Sequence, residues 1–307
     1  MPEDSFPPHV LSRWAALGGY LDIVHTLYLE DRLDVALQAA HDAFRSTGWP
    51  EGGWTEFYNT LVCEADARAA SNAIRVDATI TIEVPREADD TVCENVRRAA
   101  LEARARVGDL LDVEFAHPCL IAVLLPDAPL QFISSPYGYS IQKKGMNKIC
   151  VPWDNVRDRE TLLRTLIHEL SHAACSEITD GDDIPSWLAE GLALYVCGDA
   201  SHQTCAELIR SDREYVRLLS TGGMELSLNS LELRKDDPTL VSAAYDFAGS
   251  LVLWWIEKTG MAEVRRTIEL IGGGWSPTLA AYVGTKVWMW RMVGQWRKHL
   301  LSISRAP

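Results

Sequence analysis

No segment of this chain approaches about eighteen consecutive apolar residues. Its opening, Met1-Pro2-Glu3-Asp4-Ser5-Phe6-Pro7-Pro8, is acidic and proline-rich where an export leader would join a basic start to an apolar run. The expectation is neither secretion nor membrane spanning. Cys-x-x-Cys pairs are also missing. The seven cysteines (63, 93, 119, 150, 175, 197 and 205) are odd in number and lie mostly in apolar contexts, which reads as free thiols in a reducing, cytoplasmic compartment. Positive charge is scarce: 29 Lys and Arg against 43 Asp and Glu leave a formal charge of −14. That balance argues against nucleic-acid or anionic-membrane partners, because phosphate binding draws on clustered cations. No recurrence at about 34 residues accompanies the helix-turn-helix pattern of Leu27 to Phe44, so a tetratricopeptide-like solenoid is not expected.

Against these absences stands His168-Glu169-Leu170-Ser171-His172. Two histidines four apart on a helix share one face and can grip one zinc ion, with the intervening glutamate beside the activated water. With eight histidines in the chain, the pentapeptide should arise by accident in about one chain in a hundred, so context decides its weight. Leu162, Leu163, Leu166, Ile167 and Leu170 fall at helical spacing behind acidic first-turn residues, which places the motif on a helix. Downstream, Pro185 opens a second helix whose largely apolar run carries one carboxylate, Glu190. A carboxylate in such a run needs a partner, and zinc would be one. Two His and one Glu leave a fourth coordination position open, the pattern of a catalytic site and not of a closed structural one.

The chain here resembles the gluzincin metallopeptidases, in which His-Glu-x-x-His is followed by a glutamate ligand on the next helix. Trp187-Leu188-Ala189-Glu190-Gly191-Leu192-Ala193 is similar to the Trp-Leu-x-Glu-Gly-x-Ala stretch of aminopeptidase-N-like members. Tyr245-Asp246-Phe247-Ala248-Gly249, with the apolar helix that ends at Gly260, is similar to that group's tyrosine-bearing helix. The resemblance spans about Ile74 to Leu300. It implies an α+β, zincin-like fold with a small mixed sheet and a mostly helical C-terminal half. It also implies that the Tyr245 hydroxyl stabilises the oxyanion. One departure stands out: the aminopeptidases hold the substrate amine with the glutamate of a Gly-x-Met-Glu-Asn segment, whereas this chain has Gly145-Met146-Asn147 and no acid there.

Along the chain, residues 1–72 read as an N-terminal helical segment, a cap that could also meet a protein partner, and residues 73–307 as the metallopeptidase domain. From Ile74 to Val84 apolar residues alternate with mostly polar ones, which predicts a half-buried strand. A charged helix is expected over Asp90 to Leu111, a strand over Leu120 to Leu125, and a hairpin over Gln131 to Val151. By the resemblance, Lys148 to Val151 would be the sheet edge along which an extended substrate pairs. After Glu190 the expected helices are Ala206–Leu219, Leu240–Lys258, Met261–Ile271 and Lys286–Ile303. The acidic run Glu177 to Asp183 should lie near the cleft, as a solvated loop before a selector of basic substrates. The tryptophans of this half read first as core, and Cys175, three residues past His172, as a small core residue.

Zinc held by His168, His172 and Glu190 would activate water and polarise a carbonyl. Glu169 would take the proton and return it to the leaving amine. Tyr245, or with less support His202, would donate to the developing oxyanion. The expected activity is zinc-dependent hydrolysis of internal peptide bonds in a peptide or protein. Two other classes remain: a zinc amidohydrolase acting on a small metabolite, and a binding protein with a vestigial zinc site, against which the intact Glu169 argues. One turn beyond Glu190 lie Ala193 and Leu194, so carboxylate support for the imidazoles must come from elsewhere.

Overall fold

The computed structural model describes residues 22–47, 53–125, 139–143, 145–212, 215 and 238–305. The fold is mixed α+β, and the chain forms two compact units, Met1–Val96 with Cys119–Asp158 and Arg97–Pro118 with Arg159–Pro307. No helix among the described residues is long and apolar enough to cross a membrane.

In the first unit, a helix over residues 22–29 (α1) turns at Asp31, whose φ of 54° is the left-handed conformation that aspartate tolerates. It leads into α2 (Leu33–Thr47) and α3 (Gly53–Ala69). Val24, Tyr28, Leu33, Ala36, Ala40, Phe44 and Leu61 form their shared core. The turn expected at Trp49 to Gly53 lies almost wholly outside the described residues.

Five strands follow, β1 (Ser71–Arg75), β2 (Ile80–Pro85), β3 (Cys119–Val123), β4 (Tyr139–Lys143) and β5 (Met146–Val151), in the order β1-β2-β3-β5-β4. β2–β3 and β3–β5 are parallel, and β1–β2 and β4–β5 antiparallel. The alternating stretch from Ile74 to Val84 is therefore two strands and not one. Asp77 is the cause: one carboxylate oxygen accepts from the amides of Thr79 and Ile80, each at 2.7 Å, and this side-chain turn folds the chain back. β3 is buried along its whole length, as its continuous apolar run requires between two parallel partners.

The expected substrate-pairing strand at Lys148 to Val151 is corrected by this order. β5 is bonded on both sides, to β3 and β4, so its backbone offers nothing to a further strand. β4 is the edge on that side. Asn147 and Lys148 are both buried. The Lys148 ammonium lies 2.8 Å from Glu64 and 3.4 Å from Asp31, and 3.9 Å over the Tyr28 ring. Tyr28 donates to Glu64 at 2.7 Å, and Arg68 pairs with Asp31 and with Glu83 of β2. A charge network thus ties the helices to the sheet within this unit. A short helix, α5 (Trp153–Arg157), closes it.

Helix α4 (Asp90–Leu111) matches its expected bounds, and its residues from Arg97 onward group with the second unit. There follow α6 (Arg159–Thr179), α7 (Ser186–Cys197), α8 (His202–Ser211), α9 (Pro238–Thr259), α10 (Met261–Gly272), α11 (Pro277–Thr285) and α12 (Met289–Ile303). The helix expected over Ala206–Leu219 instead runs from His202 and ends at Ser211, where Asp212 is extended; residues 213, 214 and 216–219 lie outside the described residues. α11 was not expected. It starts on Pro277 and ends where Lys286 turns left-handed (φ 59°), so α12 begins at Met289 and not at Lys286.

Candidate metal centre

Both histidines of the motif sit on α6, their rings 5.0 Å apart, and α7 brings Glu190 to them. Several contacts fix that approach. The αL turn at Asp180 and Gly181 (φ 54° and 88°) ends α6, and the Thr179 hydroxyl holds it by donating to the Asp182 carbonyl at 2.6 Å. Pro185 then caps α7 in extended conformation. At the far end Gly198, left-handed, closes α7, while Arg106 of α4 donates to the carbonyls of Val196 and Cys197. Arg164 of α6 pairs with Asp199 at 2.6 Å.

Gly191 lets α9 lie directly on α7. A Cβ there would stand 2.5 Å from the Ala248 carbonyl oxygen and 2.6 Å from Val252. Gly249 meets Leu194 in the same seam, and Trp187 stacks on Trp255. The pairing of 187 with 255, 191 with 248 and 194 with 249 makes the two helices antiparallel.

His168 Nε2 lies 3.2 Å and His172 Nε2 3.6 Å from Glu190 Oε2. All three ligand atoms fall within 4.8 Å of one another, and they form the only such group of three or more among the described residues. Ligands about 2 Å from a tetrahedral zinc stand about 3.3 Å apart, and the two measured separations are close to that value. Glu190 Oε2 is buried, and the two imidazole nitrogens are its neighbours without forming a well-aligned hydrogen bond to it. Acceptor and nitrogens converge on a common point, which is where a cation belongs.

Electrostatics agree. Burial opposes charging of His172, but the Glu190 carboxylate outweighs it and holds the imidazole pKa up at about 9. Burial likewise works against the Glu190 anion, yet the two imidazoles keep its pKa well below the usual carboxylate range.

Glu169 is on the same helix and 3% exposed. Cys175 is buried, and burial first, then Glu190, pushes its thiol up to about 12, so it is a neutral core residue at physiological pH. All seven cysteines are free. Glu177, expected in the acidic loop, belongs to α6 and accepts from the His117 backbone at 2.9 Å, with the His117 ring at 2.7 Å.

No protein-family model matches this chain, and no curated protein matches it significantly.

Tyr245 lies half-buried on α9, one turn before Gly249 and thus on the face turned to α7, level with the C-terminal turn of that helix. His202 is engaged at both ring nitrogens, with Ser250 at 2.8 Å and Glu257 at 3.2 Å, and Trp296 donates to the same Ser250 hydroxyl. Its expected role as an oxyanion donor is corrected by these bonds, which make it part of a polar core between α8, α9 and α12. Sequence reading missed this network because its members lie up to 97 positions apart along the chain, as His202 and His299 do.

Proposed function

We propose that the chain is a zinc-dependent hydrolase of internal peptide bonds, with the zinc helices of a zincin-like enzyme. The observation that carries this reading is the buried Glu190 oxygen between two imidazole nitrogens at 3.2 and 3.6 Å, with Glu169 next to His168 along α6. His168, His172 and Glu190 would hold the ion, which supplies Lewis acidity and an open coordination position. Glu169 is the general base: it receives a proton from the attacking water and delivers it to the leaving amine nitrogen. Its near-complete burial beside the cluster keeps bulk water from competing for that proton. Tyr245 is the proposed donor to the oxyanion. By the resemblance, the segment Gly145-Met146-Asn147 lacks the acid with which aminopeptidases hold a free amine, and this favours internal cleavage.

Purified protein should contain about one zinc per chain, lost when His168 and His172 are both replaced by Ala. Digestion of a proteome-derived peptide pool, read by mass spectrometry, should yield internal cuts. Glu169→Gln should keep the metal and lose turnover by orders of magnitude. Undiminished cleavage by that variant would reject Glu169 as the base. A peptide and its N-acetylated twin should be cut equally, whereas stepwise removal of first residues that acetylation abolishes would make the enzyme an aminopeptidase.

A further inference from the structure

The acidity of the chain conceals a segregation of charge. None of its 43 Asp and Glu lies after Glu269, yet five of its 29 Lys and Arg do: Lys286, Arg291, Arg297, Lys298 and Arg305. Exposed apolar surface collects in the same stretch. Among the described residues seven large hydrophobic side chains are exposed, and four of them, Trp275, Leu279, Trp288 and Trp290, fall within sixteen positions. Leu279 and Tyr282 are one turn apart on α11, and Tyr282 stacks on Trp288 with ring centroids 4.3 Å apart and planes 16° from parallel. Trp290, 71% exposed, stands in the first turn of α12 beside exposed Arg291, and Lys286 is exposed at the left-handed end of α11.

We infer that the α11–α12 corner is a docking surface for an anionic lipid–water interface. Tryptophan and tyrosine with one apolar body and one polar tip, flanked along the chain by Lys and Arg, are the side chains that settle at the headgroup level, and the acids of the adjoining helix, Glu263 and Glu269, belong to α10 and not to the corner itself. The alternatives fit less well. A single-stranded nucleic acid needs open aromatic faces for its bases, but Tyr282 and Trp288 close one face of each other, and Leu279 offers none. The excess of acid lies before residue 270, so the cations of this corner face a negative surface without acids of their own helices beside them. The contact is peripheral, because no described helix can span a bilayer.

The full chain should cosediment with vesicles containing about a third phosphatidylserine at low salt, bind phosphatidylcholine vesicles weakly, and be released as salt screens the surface. Trp290→Ala and Arg291→Glu should each cut binding, by about tenfold for the charge reversal. Neither threatens the fold: Trp290 is mostly in solvent, and an acid in the first turn of α12 favours that helix. Unchanged melting temperature in both variants is the control. The inference is overturned if the wild-type chain ignores phosphatidylserine vesicles at low salt, if both variants bind them as the wild type does, or if an oligonucleotide competes the chain off the vesicles through Trp290.

Discussion

Glu190 and His172 set the response of the site to pH. The raised His172 pKa means that, in the ion-free protein, its pairing with Glu190 stabilises the fold fully below about pH 6.5, the unfolded value, and is lost as pH rises through about 9. The lowered Glu190 pKa contributes stability above about 4.5, lost as pH falls below that value. Zinc needs the neutral imidazole and so competes with the proton. The expected outcome is that zinc raises the melting temperature more at pH 8.5 than at pH 6.5, while the ion-free protein melts lower at the higher pH. Differential scanning fluorimetry with and without zinc checks this, and a zinc increment that shrinks with rising pH would contradict it. At this scale the sequence was informative, because His168, Glu169 and His172 are local on one helix and the geometry that joins them follows from its pitch. Tyr28, Glu64 and Lys148 were opaque, because their meeting depends on which strand lies where, and Lys148 in sequence is only a cation in a hairpin.

The seam between α7 and α9 is the element on which the proposed metal centre depends. Gly191→Ala would drive a methyl group into the Ala248 carbonyl and Val252, so the helices must part by a few tenths of an ångström or more. Overpacking of this kind costs about 1 to 3 kcal/mol, and Glu190, the adjacent residue, should move with α7. A lower melting temperature together with weaker zinc retention is expected, read by calorimetry and by metal analysis after dialysis. Loss of stability with metal affinity intact would separate the seam from the site. Helix α4 and the β4–β5 part of the hairpin expected over Gln131 to Val151 were readable from their periodicity, residues 131–138 and 144 lying outside the described residues. The alternation from Ile74 to Val84 was misleading, because Asp77 turns the chain without disturbing the apolar period. α11 escaped notice because its nine residues lie between a glycine run and the next helix, too short for period alone to reveal.

Over the whole chain, charge is both buried and segregated. Lys148 is 2% exposed and its counter-charges come from α3 and from the turn before α2. Glu64→Gln should destabilise the fold by about 3 kcal/mol, the cost of stripping a buried cation of a partner, whereas Glu64→Gln with Lys148→Met should recover much of it. Urea melts of the single and double variants test this, and equal losses in both would mean that the lysine is not what the glutamate compensates. The order of the strands has a further consequence for anyone who shortens the chain. β3 pairs with β2, which precedes it by 34 residues or more and belongs to the first stretch of its unit. A fragment begun at Arg97, to isolate the helices that carry His168, His172 and Glu190, would retain β3 with its β2-facing edge bare: Cys-Leu-Ile-Ala-Val, uncharged, flat and ready to recruit the same edge of another molecule. Such a fragment should precipitate as β-rich aggregates, which recommends the uncut protein for study of the proposed metal centre.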